Sequence, residues 1–199
     1  MAVALCAAAC VAATAFAEED KNGFESATPV EIADPVNPQP GMLFSAYYTS
    51  LDDDAKLNGC HSLLPKMSAA KTGVDKSDGF SSQCAAGVSA QTIRWEGFFK
   101  CKLAKTFTFL IKNPGYANSY SVKINGKPGA TGRSAECSFD VDLKTGWNKI
   151  EIVRDFRSDP ALTISAKVKG SVVEPTQFSP AMMFYDDKPE LHPENPFGN

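Results

Sequence analysis

Between Thr92 and Val168 the chain repeats one pattern in segment after segment: an apolar residue at every second position. In Lys105–Lys112, Phe107, Phe109 and Ile111 fall on one side, and Thr106, Thr108 and Lys112 on the other. In the segment 135–143, Cys137, Phe139, Val141 and Leu143 alternate with Glu136, Ser138, Asp140 and Asp142. Segments 92–100, 119–125, 149–153 and 162–168 do the same. Successive side chains on a strand point to opposite faces, so this period marks strands with one buried and one wet face. A run of such strands joined by short turns predicts an all-β fold, an antiparallel sandwich or barrel. Asn125-Gly126 and Thr145-Gly146 supply hairpin turns between them. Gly41–Tyr48 reads as an opening strand, and Phe178–Tyr185 as a terminal strand returning to the sheet.

The remaining segments divide the chain. Residues 2–17 carry no charge, and Ala15-Phe16-Ala17 precedes Glu18-Glu19-Asp20. Small residues at those positions fit a secretory cleavage site, so residues 1–17 are expected to be a signal peptide. This implies a secreted, periplasmic or cell-surface protein with no membrane span in the mature chain. Residues 18–40, with Pro29, Pro35, Pro38 and Pro40, are expected to be an extended linker. Residues 41–186 form the β domain, and residues 187–199 a disordered tail. Residues 55–88 hold three turn signals and read as a long irregular loop containing one helical turn. The acids Asp52, Asp53 and Asp54 before it read as a solvated turn.

Cys6 and Cys10 leave with the leader, so four cysteines remain. An even number in an exported chain implies disulfides. Four cysteines allow three pairings; Cys60–Cys84, closing the irregular loop, and Cys101–Cys137, joining two strand regions, are the expected ones. No Cys-x-x-Cys spacing favours a zinc site instead.

The strand series resembles the PA14 domain. Gly41-Met42-Leu43-Phe44-Ser45-Ala46-Tyr47-Tyr48 is similar to the family's opening Gly-x-x-x-x-Tyr-Tyr strand. Ile93-Arg94-Trp95-Glu96-Gly97-Phe98-Phe99 resembles its Val-Arg-Trp-x-Gly-Tyr-Leu signature, and Lys105-Thr106-Phe107-Thr108-Phe109 its Gly-Thr-Tyr-Thr-Phe step. Further similarities are Tyr120–Lys127, the hairpin Leu143–Ile152 and the closing Pro180–Tyr185. The resemblance implies a β-sandwich or barrel that binds carbohydrate on extracellular surfaces.

The family's calcium-dependent members carry adjacent aspartates in the loop after the second of these steps. Here that loop reads Asn113-Pro114-Gly115-Tyr116-Ala117-Asn118-Ser119, without the acids a hard cation needs. No metal or cofactor is therefore expected, and calcium-dependent binding is disfavoured. Tyr116 and Asn118 offer a ring and an amide to a sugar, and Trp147 is a further ligand candidate or a core residue. Trp95 alternates with Ile93 and is expected in the core. The expected partner is a glycan or cell-surface polymer, with protein contacts to envelope partners as the alternative. A net charge of −3 offers no broad attraction to nucleic acid or anionic membranes. No catalytic motif appears, and His61 and His192 are the only histidines, so the chain is not expected to be an enzyme.

Overall fold

The computed structural model describes residues 32–114, 118–156 and 161–187, and its strands pack as two antiparallel sheets. The larger sheet contains β1 (Pro38–Pro40), β2 (Met42–Tyr47), β3 (Lys71–Asp75), β4 (Thr92–Cys101), β6 (Tyr120–Ile124), β7 (Lys127–Gly132), β9 (Gly146–Asp155) and β12 (Phe184–Asp186). Its spine is the ten-residue pairing of β4 with β9, from Thr92 opposite Asp155 to Cys101 opposite Gly146. On its other side β4 is shared, pairing with β2 over Thr92–Glu96 and with β12 at Phe98. The smaller sheet runs β11 (Thr176–Phe178), β10 (Thr163–Val168), β5 (Lys105–Lys112), β8 (Glu136–Leu143).

The alternation legible in the sequence builds the core. Ile93, Trp95, Ile150, Ile152, Val122 and Ile124 of the larger sheet meet Phe109, Ile111 and Ile164 of the smaller one, all buried. Trp95 is fully buried, as expected, with Phe80 and Phe156 edge-on to its ring. A buried indole N–H needs an acceptor, and Asp75 provides one at 2.8 Å. The Asn125-Gly126 hairpin forms with positive φ at both residues, 51° and 75°, the geometry of a tight turn between twisted strands.

Residues 55–88 are more ordered than the sequence suggested. Helix α1 (Asp54–Leu63) spans ten residues, and β3 follows it. Asp53 caps the helix by accepting from the Lys56 amide at 2.7 Å. Leu57, Cys60, His61 and Leu64 lie three and four residues apart and form the buried stripe. That stripe covers the outer face of the larger sheet, against Tyr47, Leu51 and Val153. The acids expected to be a solvated turn thus start a helix: Asp52 pairs with Lys56 at 3.0 Å, and Asp54 with Arg133 at 3.1 Å. Pro38–Pro40, at the end of the expected linker, pair with β12. The expected terminal strand is two short strands, β11 and β12, in different sheets, separated by a 3-10 turn at Pro180–Met182.

The disulfide-held loop is not found: Cys60, Cys84, Cys101 and Cys137 are all free thiols. Topology separates each expected pair. Cys60 lies on the buried side of α1, against the outer face of the larger sheet, whereas Cys84 packs against the core between the sheets. Cys101 ends β4 just before β5 begins, but Cys137 lies opposite Ile111 near the far end of β5. Six strand residues separate Lys105 from Ile111, roughly 20 Å. Bridged cysteines need Cα atoms within about 7 Å.

Candidate functional site

One end of the sandwich is built by the last residues of β4, β8 and β10 and the first residues of β5, β9 and β11. Between the sheets at this end a cleft of about 350 Å³ opens, lined by Phe99, Phe107, Leu143, Ala166, Phe178 and Met182 among others. Its walls are largely apolar for a simple reason. The inward positions of both sheets continue to the strand ends, and Phe99, Phe107, Leu143, Ala166 and Phe178 there line the opening. Phe178 stacks on Phe109 at 5.7 Å and leans on Phe99 at 5.3 Å, so the cleft floor is a rigid aromatic layer.

Trp147 stands beside this cleft. It lies opposite Lys100 in the β4–β9 ladder and is half-buried. Phe184 meets its ring edge-on at 5.2 Å, and the Lys100 ammonium sits 4.5 Å from its centroid. The neighbouring turn is pinned by Asn148, whose Oδ1 accepts from the Lys144 amide at 3.1 Å and from Asn125 Nδ2 at 2.8 Å. Its Nδ2 donates to the Lys144 carbonyl at 2.8 Å and to that of Gly146 at 3.2 Å. Trp147 is therefore an oriented surface ring rather than a core residue.

The other ligand candidates lie elsewhere. Asn118 is fully buried, and its carbonyl accepts from Asn113 Nδ2 at 2.8 Å. Its amide is out of reach of a surface ligand. Tyr116 falls outside the described residues. Asn118 precedes Ser119, whose carbonyl accepts from the Asp155 amide at 2.9 Å, at the far end of β9 from Trp147. Eight strand residues separate Trp147 from Asp155, roughly 26 Å, so these candidates do not share one site. At that far end Arg133 gathers the loops, bonding to Ser119 Oγ at 3.0 Å, Asp54 at 3.1 Å and the Asp52 carbonyl at 2.8 Å.

A polar cluster lies under α1. His61 is 7% exposed, and its Nε2 contacts Ser121 Oγ at 3.0 Å. Ser121 Oγ also contacts Thr131 Oγ1 at 2.8 Å. His61 Nδ1 is buried with no hydrogen-bond partner among the described residues. Burial drives the ring's pKa down to about 4; Glu151 opposes this, while Lys123 and Arg94 add to it. The neutral imidazole here packs the helix onto the sheet.

The residues that sequence reasoning missed are those of the cleft end: Lys100, Leu103, Val172, Val173, Phe178 and Met182. The cleft is assembled from separated segments, so no local spacing betrays it. The one available signal was Val172-Val173, an apolar pair in a segment between Gly170 and Pro175 that is otherwise turn-like.

No protein-family profile matches the sequence, and no curated protein matches it either. Among solved structures the chain is similar to an anti-sigma factor domain-containing protein, at 17% identity and a TM-score of 0.52, over 82% of this chain and 52% of that one. It thus spans about half the length of that protein. It is also similar to a subtype-switched Epithelial Adhesin 9 to 1 A domain from Candida glabrata, in complex with beta-lactose. That likeness has 14% identity and a TM-score of 0.52, over 78% of this chain and 92% of the other. The PA14 domain of the MpAFP antifreeze protein aligns with 77% of this chain and 94% of its own, at 13% identity and a TM-score of 0.49. Solved structures titled as PA14 domains, the family the sequence resembles, are thus among those the chain is similar to, at 13% and 15% identity. No helix among the described residues is long and apolar enough to cross a membrane.

Proposed function

We propose that this chain is a secreted, non-catalytic module that binds carbohydrate on an extracellular or cell-surface polymer. The observation that carries the reading is Trp147, a half-exposed ring held in place by Phe184 and Lys100 at one end of the sandwich. A pyranose presents an apolar C–H face and a rim of hydroxyls; an indole ring takes the face, and a neighbouring ammonium takes the rim. The fold shared with an adhesin domain in complex with beta-lactose supports the same class of ligand. The apolar leader and its Ala-Phe-Ala site support export. Tyr116 remains a second candidate from the sequence. Binding without calcium fits the chain, because Asp53 is committed to capping α1 and Asp54 to Arg133.

The test is a glycan array probed with the full chain, with and without a calcium chelator. Trp147→Ala is expected to lower retention about ten-fold or more while Tyr116→Ala leaves it unchanged, and chelation is expected to have no effect. Full retention by Trp147→Ala refutes the assignment of this ring. A second reading is an assembly protein of the cell surface that acts through protein contacts with envelope partners. It is favoured by the exposed apolar residues Leu103, Val172 and Val173, which a sugar does not need. A protein silent on every glycan that co-purifies with envelope proteins supports that reading.

A further inference from the structure

The cleft end carries a second pattern, in residues other than Trp147. The loop between β4 and β5 reads Lys102-Leu103-Ala104 and is exposed throughout. The loop between β10 and β11 holds Val172, 99% exposed, and Val173, 68% exposed. Leu103 and Met182 are each 52% exposed. These loops leave the sheets at the mouth of the cleft: Cys101, the last residue before the first loop, and Thr176, the first residue after the second, both line it, as does Ala166 opposite Thr176. Soluble surfaces scatter such residues singly; here they gather on loop tips around an apolar opening.

Charge surrounds the same mouth. Lys100, Lys102 and Lys105 are exposed, and none of them makes an ion pair among the described residues. The acids nearby are fewer or engaged. Asp140 pairs with Lys169 at 2.8 Å, Asp142 accepts from Thr106 Oγ1 at 2.6 Å, and Glu174 stands alone in the second loop. Counting Lys100, Lys102, Lys105, Lys167 and Lys169 against Asp140, Asp142 and Glu174, five to three, this end carries a positive excess although the chain's net charge is −3.

We propose that this end docks on an anionic membrane surface, with Leu103, Val172 and Val173 entering the interface and Lys100, Lys102 and Lys105 meeting lipid phosphates. The chemistry selects a lipid over an acidic sugar. The cleft walls offer few hydrogen-bonding groups, which hydrocarbon tolerates and a glycan does not. Aliphatic tips ringed by lysines match a boundary that is apolar inside and anionic at its rim. Trp147, beside the cleft, sits at the level where aromatic rings favour the headgroup region.

The test is partition of the full chain onto phosphatidylcholine–phosphatidylglycerol vesicles against phosphatidylcholine alone, with nitroxide-bearing lipid as a quencher of Trp147. Residues 1–31 are common to every variant, so differences between variants and the quenching of Trp147 are the readouts. Binding to the anionic vesicles is expected, weakened by salt. Each of Lys100→Gln, Lys102→Gln and Lys105→Gln is expected to weaken it about five-fold, since a lysine near such a surface contributes about 1 kcal/mol. Val172→Asp with Val173→Asp is expected to abolish the quenching with an unchanged melting temperature, because both side chains are exposed. Equal binding to neutral vesicles, or quenching untouched by these substitutions, overturns the proposal. So does indifference to vesicles combined with capture on an acidic polysaccharide through the same lysines.

Discussion

His61 ties the stability of this chain to pH in a defined window. Unfolded, its imidazole titrates near 6.5; folded under α1, it holds no proton until about pH 4. Between these values the unfolded chain binds a proton that the folded chain refuses, so stability falls as the pH falls. The contribution is fully present above 6.5 and fully lost only below about 4. One pH unit of difference corresponds to 1.36 kcal/mol, so the whole interval amounts to roughly 3 kcal/mol, of which about 2 kcal/mol is gone at pH 5. No opposing charge rescues the protonated ring: Glu151 favours it, but burial, Lys123 and Arg94 outweigh that. Glu96 acts in a lower window. Burial opposes its ionisation, yet Arg94 and Lys149 hold its carboxyl below the usual range, so its stabilisation is intact above 4.5. The assay is urea unfolding at pH 7 and pH 5 of the native chain and of His61→Gln. With a slope of about 2 kcal/mol per molar urea, the native midpoint should drop by about 1 M. His61→Gln should be less stable at pH 7 and nearly flat between the two pH values. An equal drop in both proteins would refute the reasoning.

Two further predictions rest on described contacts. Asn148→Ala removes four hydrogen bonds, three to the Lys144–Gly146 turn and one to Asn125, and leaves part-buried backbone groups without these partners, so a loss of about 2 to 3 kcal/mol is expected in thermal unfolding. Native-state alkylation followed by mass spectrometry should label Cys101 and Cys137, which are half-buried, before Cys60 and Cys84. Cys60 is fully buried, and burial with the nearby Asp75 pushes the Cys84 thiol up to about 12.

The alternation of Phe107, Phe109 and Ile111 was readable because burying one face of a strand imposes a period of two on its own residues. The partition of strands into sheets was not, because β4 joins β9 across more than forty intervening residues and no local pattern names a partner. Helix α1 was hidden by Asn58-Gly59. Those residues fall on its exposed side, where a turn-forming pair costs little, and nothing lies within 4 Å of the Cβ that Gly59 lacks. The cysteine count suggested bridges, but parity carries no geometry, and the sheets place the thiols apart. Trp147 could be read as core or surface; its register opposite Lys100, set by the ladder, decides between them.

The pairing of Pro38–Pro40 with Phe184–Asp186 has a mechanical meaning. It brings the chain's entry to the β domain beside its exit. A domain with neighbouring entry and exit points can be spliced into a host loop without prying the host apart. Tension between those points would first unzip a three-residue ladder, peeling it pair by pair, while the ten-residue ladder of β4 and β9 stays unloaded. Such a seam would work as a fuse, giving way under a pull before the sandwich behind it is loaded.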